Sequence, residues 1–331
     1  MIRLSILFAS MLLLVSSCTK STSQPNVDAN NTKRITLTYD DAPLGQGPRY
    51  AGKERTAALI KQFKEAQTGP VAIFVTTQGL DKKDGVARIT DYAEAGHLIA
   101  NHSDTHPWAS QTEIETYIAD IDSAEQKLES FDNRRPWYRF PYLDEGGYGD
   151  ETKGREKRDT LRRALDERDI ISGYVTVDTF DWHLDRLWRD AIKRGEEVDL
   201  KALSSIYVAM VVDAAEHYDA LSQEVLGRRP AQVLLLHEND LAASFTVDMV
   251  RALRAKGWTI IDPDEAFADP IVNQLPETLF SGMGRIGALA MDAGMRGSDV
   301  FDHWSASEDG IEAKVKAAAV FKSPPSELYK P

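Results

Sequence analysis

The chain has 331 residues, 42% of them hydrophobic and 27% charged. These values exclude disordered, collagenous and multi-span membrane classes, and allow two average domains or one embellished α/β barrel. With 39 Lys and Arg against 52 Asp and Glu the net charge is −13, so phosphate backbones are repelled and nucleic acid is not an expected partner.

In chain order, residues 1–17 read as an export signal. A short basic start (Met1-Ile2-Arg3) leads into the apolar run Leu4–Val15 and then Ser16-Ser17. The run is shorter than the roughly 20 residues a membrane span needs. Cys18 is the only cysteine, so there is neither a disulfide framework nor a thiolate zinc site. Its position after Val15-Ser16-Ser17 resembles a bacterial lipobox, which implies cleavage before Cys18, a lipid anchor and a cell-envelope location. Thr19 rather than Asp in the next position favours the outer membrane if the cell has one. Residues 18–33, rich in Ser, Thr, Asn and Gln, read as a flexible tether.

Beyond the tether, short apolar stretches predict strands at Ile35–Tyr39, Val71–Val75, His97–Ala100, Tyr138–Phe140, Ile171–Val177, Val233–Leu236 and Trp258–Ile261. Apolar residues at three- and four-residue spacing predict helices at Thr56–Phe63, Glu113–Leu128, Leu161–Leu165 and Val247–Leu253. The alternation predicts an α/β fold with a parallel sheet. It is either a distorted (β/α) barrel of about seven strands, the form adopted here, or a doubly wound sheet. Residues 34–270 then form one catalytic domain with a helical insertion at 184–230. Residues 271–331 form a C-terminal extension, expected as decoration on the barrel.

Five predicted strands end in chemically loaded residues: Asp40-Asp41, Asn101-His102 to His106, Arg139 to Tyr142, Asp178 to Trp182, and His237 to Asp240. In a parallel barrel the C-terminal strand ends carry the working residues. His102 and His106 are four apart, so one helical turn would set both imidazoles on one side. Two His and one carboxylate are a common set for a divalent ion with open positions, and Asp40-Asp41 supplies the carboxylate. One of that pair can ligate while the other acts as base. Arg139 can hold the base ionised, and a buried Asp such as Asp181 can keep His237 cationic as the acid. Together these are parts for metal-assisted hydrolysis of an amide or ester.

The five segments, in order, resemble the motifs of the polysaccharide deacetylases, carbohydrate esterase family 4. The matching segments are Thr38-Tyr39-Asp40-Asp41, Asn101 to Pro107, Arg139-Phe140-Pro141-Tyr142, Asp178 to Trp182, and Leu235-Leu236-His237. The resemblance implies Asp40 as base, and Asp41, His102 and His106 as ligands of one divalent ion. Zinc is the expected ion, with cobalt or another divalent ion as alternatives. It further implies Arg139 steadying the base, Tyr142 donating its backbone N–H to the oxyanion, His237 as acid tuned by Asp181, and Pro141, Trp182 and Leu235 at the substrate pocket. The expected reaction is removal of acetyl groups from a glycan, N-deacetylation of N-acetylglucosamine units first. An O-acetyl esterase on a xylan-type polymer and an inactive glycan-binding lipoprotein are the alternatives. The sequence departs from the family pattern at Tyr39 and Ala42. The Pro43–Lys53 loop and the 184–230 insertion are expected to wall the substrate groove. His97, His183, His217 and His303 match no motif position and are expected to lie at the surface or behind the site.

Overall fold

The computed structural model describes residues 32–147 and 151–322. Cys18 and the expected signal and most of the tether lie outside the described residues. Strands and helices alternate as β1 (Arg34–Ala42), α1 (Gly52–Ala66), β2 (Ala72–Val75), α2 (Gly85–Glu94), β3 (Leu98–Asn101), α3 (Ile114–Leu128), β4 (Arg134–Tyr138), α4 (Glu151–Asp166) and β5 (Ile171–Ser172). They continue as α5 (Asp181–Lys193), β6 (Glu197–Val198), α6 (Leu200–Leu226), β7 (Gln232–His237), α7 (Asp240–Ala255), β8 (Thr259–Ile260) and α8 (Pro263–Phe267). The extension adds α9 (Arg285–Asp292), α10 (Gly297–Phe301), α11 (Glu308–Ala317) and β9 (Phe321–Lys322).

Seven strands form one parallel sheet in the order β5-β4-β3-β2-β1-β7, with β8 also on β1. The sheet closes on itself through the stretch that begins at β5. Ile171 and Ser172 pair with Trp137 and Tyr138 of β4, and Val177 bridges to Leu234 of β7. A distorted barrel results, as expected. Gly173 sits in this closing stretch because a Cβ there would meet the Phe74 ring at 2.6 Å.

β1 shows why the barrel carries chemistry inside. Ile35, Leu37 and Tyr39 are fully buried, and so are Thr36 and Thr38. Alternation along a strand sends the two sets to opposite faces. Thr38 and Asp40, on one face, meet Arg139 across the barrel: Arg139 Nη1 donates to Thr38 Oγ1 at 2.7 Å and to Asp40 Oδ1 at 2.6 Å. The guanidinium also lies 3.8 Å from the Phe74 ring centroid and donates to Gly173 O at 2.7 Å. Contacts to β1, β2 and the closing stretch at once are possible only from the barrel interior. Helices α1 and α7 pack together, and α6 packs on α7 and α9.

Two expectations change. The fourth strand runs 134–138 rather than 138–140, which leaves Arg139 just past the strand end. α6 is a 27-residue outer-ring helix, so most of 184–230 is scaffold and not groove wall. His183 and His97 are buried, the second of the two placements expected for them.

Candidate active site

The strand ends open onto a cavity of about 590 Å³, lined by Asp40, Asp41, His102, His106, Asp178 and His237 among its polar residues. That volume falls within the range of small-molecule sites. Four of its lining residues are non-glycines in the left-handed region: Asp41 (φ 66°), His106 (φ 60°), Tyr142 (φ 58°) and Leu143 (φ 49°). Each such residue costs on the order of 1–3 kcal/mol, and such strain concentrates at functional sites.

Asp40 and Asp41 reach the same cavity because β1 breaks its register between Tyr39 and Ala42, where Asp41 takes its left-handed turn. His102 and His106 come together differently from the expected helical turn. They sit in a loop with left-handed turns at Ser103 and His106. The other motif residues hold that loop. Asn101 Oδ1 accepts from Ser103 N at 2.7 Å, and Ser103 Oγ accepts from His106 N at 2.9 Å. Asp120 of α3 accepts from the backbone N–H groups of Asp104 and Thr105 at 2.8 and 2.9 Å.

The donor set fits a divalent ion. Asp41 Oδ1 is 3.2 Å from His106 Nε2 and 3.6 Å from His102 Nε2. His102 Nδ1 meets Arg139 O at 2.9 Å. That carbonyl can only accept, so the proton is on Nδ1 and the Nε2 lone pair faces the cavity, the usual arrangement for a ligating imidazole. Burial lowers the His102 pKa, which keeps the ring neutral. Burial opposes ionisation of Asp41, but the His106 hydrogen bond and the His106 and His237 charges hold its carboxyl far below the usual range.

Opposite stands His237. Its Nδ1 meets Asp181 Oδ1 at 2.6 Å, and its backbone N–H donates to Asp181 Oδ2 at 2.9 Å. Asn239 Nδ2 gives that carboxylate a further bond at 2.9 Å. Burial alone would lower the His237 pKa. The Asp181 charge and hydrogen bond outweigh it and push it up to about 10. Asp181→Asn is therefore expected to lower it, moving the alkaline limb of the kcat/KM profile to lower pH. An unmoved limb would remove His237 as the titrating acid. The stability sign follows: with the folded value raised above 6.5, the pair stabilises fully below pH 6.5 and loses that contribution as pH rises through about 10.

The walls are aromatic. Tyr142 stacks on Trp108 with centroids 3.8 Å apart, and its edge meets the His106 ring at 4.6 Å. Trp182, 39% exposed, stands beside Phe180 with centroids 5.5 Å apart. Leu235 also lines the cavity, as expected. Pro141 does not: it is buried, and Phe140, Tyr142 and Leu143 line instead. Sequence reasoning missed the lining roles of Trp108, Phe180 and Gly282, the last contributed by the extension. Trp108 and Gly282 lie outside the motif segments, and Phe180 lies inside the fourth without a role assigned to it. Asp178, in the same segment and also without an assigned role, lines the cavity with its carboxyl pushed up by burial to about 7.

Behind His237, Glu238 and Asp240 are fully buried against Arg55 and Arg88, two charges of each sign. Arg88 Nη2 donates to Glu238 at 2.7 and 2.8 Å, and Arg55 Nε to Asp240 Oδ1 at 2.7 Å. The same carboxylates accept from the backbone of Leu44, Arg49 and Tyr50. This pins the Pro43–Lys53 loop, whose Leu44, Gly45 and Gln46 share a recess of about 220 Å³ with Asp41, Trp182 and His237. Of the expected insertion only Asp185 and Arg189 reach that recess. Arg55→Ala leaves the buried Asp240 carboxylate without its cation while Glu238 keeps Arg88, so it should cost about 3–5 kcal/mol. Thermal or urea unfolding measures it; a loss under about 1 kcal/mol would mean the pair is hydrated.

Fold and site together define a parallel α/β barrel with a two-histidine, one-carboxylate centre flanked by a paired Asp–Arg and a paired His–Asp. Residues 28–162 match the family model of polysaccharide deacetylase, a region that holds Asp40, Asp41, His102, His106 and Arg139 and stops before Asp181 and His237. No curated protein matches the chain. Among solved structures it is similar to a family 4 carbohydrate esterase from Streptomyces lividans in complex with acetate, at 20% identity over 71% of this chain and 95% of that one (TM-score 0.42). It is also similar to peptidoglycan deacetylase PdaC from Bacillus subtilis, at 17% identity over 74% and 93% (TM-score 0.44). A third is a CE4 family pseudoenzyme from Bacillus anthracis, at 18% identity over 72% and 66% (TM-score 0.45).

Proposed function

We propose that this protein is a metal-dependent polysaccharide deacetylase that removes acetyl groups from N-acetylglucosamine units of a glycan. The observation that carries the reading is the meeting of three paired devices at one cavity: Asp41 with His102 and His106, Asp40 with Arg139, and His237 with Asp181. Asp41, His102 and His106 would hold one divalent ion, zinc first. When bound, it supplies Lewis acidity, polarising the acyl oxygen and making water a nucleophile near neutral pH.

The chain's own residues do the rest. Asp40 takes the proton from the attacking water, and Arg139 fixes its carboxylate in place. His237 delivers a proton to the leaving nitrogen, and Asp181 keeps it loaded. The backbone N–H of Tyr142 is assigned to the developing oxyanion. Leu235 and Trp182 wall the space for the acetyl methyl, while the Tyr142–Trp108 stack offers a flat face to a sugar ring.

Acetate release from N-acetylated and O-acetylated glycans, with and without chelator, tests activity, substrate and metal together. Release from chitin oligomers or peptidoglycan, abolished by chelator and restored by zinc, is expected. No release from any acetylated glycan would leave a glycan-binding protein without activity.

The mature chain is anchored in the envelope through lipid on Cys18, in the outer membrane where one exists. Cys18→Ser is expected to move the protein from the membrane to the soluble fraction, read by fractionation. Wild-type protein wholly in the soluble fraction would overturn anchoring. Stable anchoring takes more than one acyl chain.

A further inference from the structure

Outside the cavity, a second set of metal-type ligands joins α5 to the extension. His183, in the first turn of α5, is fully buried although the preceding Trp182 is exposed. Its Nδ1 is 3.2 Å from Glu308 Oε2 and its Nε2 is 3.2 Å from Glu312 Oε1. The two glutamates stand four apart on α11, so they share one side of that helix. One ligand atom from each of the three residues lies within 4.8 Å of the others.

Acidic pairs on helices are usually solvated faces. Here the imidazole makes the difference. His183 Nε2 is buried and, though 3.2 Å from Glu312 Oε1, makes no well-aligned hydrogen bond, a cost that a native fold rarely leaves standing. His183 Nδ1 accepts from Arg186 Nη2 at 2.8 Å, and the same Nη2 donates to Glu308 Oε2 at 2.9 Å. A guanidinium only donates, so Nδ1 is the acceptor and Nε2 carries the exchangeable proton beside Glu312. Arg186 is half-exposed and free to swing toward solvent while a divalent cation takes up the carboxylates. Burial lowers the His183 pKa, which favours the neutral ring a metal requires.

We propose that His183, Glu308 and Glu312 form a second divalent-cation site, of the zinc, cobalt or nickel class, separate from the cavity. One imidazole with two carboxylates suits these borderline ions better than magnesium or calcium. As Arg186 swings away, the ring proton passes from Nε2 to the vacated Nδ1, so the imidazole stays neutral and its Nε2 lone pair takes the ion. It clamps α11 to the first turn of α5, where the His183 ring meets Trp182 edge-on with centroids 5.5 Å apart. The C-terminal extension thereby steadies one wall of the cavity.

Zinc binding to the full chain, measured by equilibrium dialysis and elemental analysis, tests the site independently of activity. Wild type is expected to bind two ions per chain, and His102→Ala one. Glu308→Gln with Glu312→Gln should bind one, and the three substitutions combined none. Both glutamates are about half exposed, so their replacement spares the core. Chelator should lower the Tm of His102→Ala and leave that of the combined variant unchanged. One ion in wild type and none in His102→Ala would overturn the site, as would an ion that persists in the combined variant. One ion in both wild type and His102→Ala, lost on changing the glutamates, would support this site while removing the ion from the cavity.

Discussion

His102→Ala is expected to reduce acetate release below detection and to lose the ion held with Asp41 and His106, while the fold persists. In the proposed centre the ring would be one of three ligands, and its Nδ1 bond to Arg139 O fixes the orientation that suits it to that role. Two remaining ligands do not hold a divalent ion against water. The core is spread over both faces of a seven-stranded sheet, so one buried imidazole does not decide folding. Metal analysis and circular dichroism check both halves. Equal metal content in this cavity in variant and wild type would refute the ligand assignment.

Asp40→Asn is expected to keep the metal and lose about 10²–10⁴-fold in kcat, the usual contribution of a positioned acid or base. The amide oxygen can still accept from Arg139 Nη1, which now reaches Asp40 Oδ1 at 2.6 Å, so the guanidinium keeps a hydrogen-bond partner. It does lose a counter-charge in the barrel interior, so a drop in Tm should accompany the drop in rate. KM should change much less than kcat if Asp40 acts on the water and not on substrate binding. Near-wild-type kcat would move the base elsewhere, and Asp178 would be the next group to change, since its carboxyl lines the same cavity.

The strand ends were legible because β strands and their terminal polar residues are local patterns: Asp40-Asp41, Arg139 and His237 could be placed by reading along the chain. What was not legible depends on distant partners. His102 and His106 approach through a loop whose shape Asp120 sets from α3, and spacing alone favoured a helical turn. Pro141 sat in a recognised motif, yet a left-handed turn at Tyr142 gives the lining to its neighbours. His183 read as peripheral because nothing in its local sequence announces Glu308 and Glu312, more than 120 residues later. α6 looked like an insertion because its role is to cover α7 and α9, and only the assembled barrel shows that.

The closure of the sheet by residues 171–177 divides the site into two halves of different origin. Asp41, His102 and His106 belong to β1 and the loop after β3, which meet within the contiguous run β1-β2-β3, so their cradle can form in an open sheet. Asp181 and His237 are separated by 56 residues. They meet only when the stretch leading from β5 reaches β7 through Val177 and Leu234. The proposed ion cradle therefore draws on one run of neighbouring strands, whereas the proposed acid pair exists only where the ring is shut.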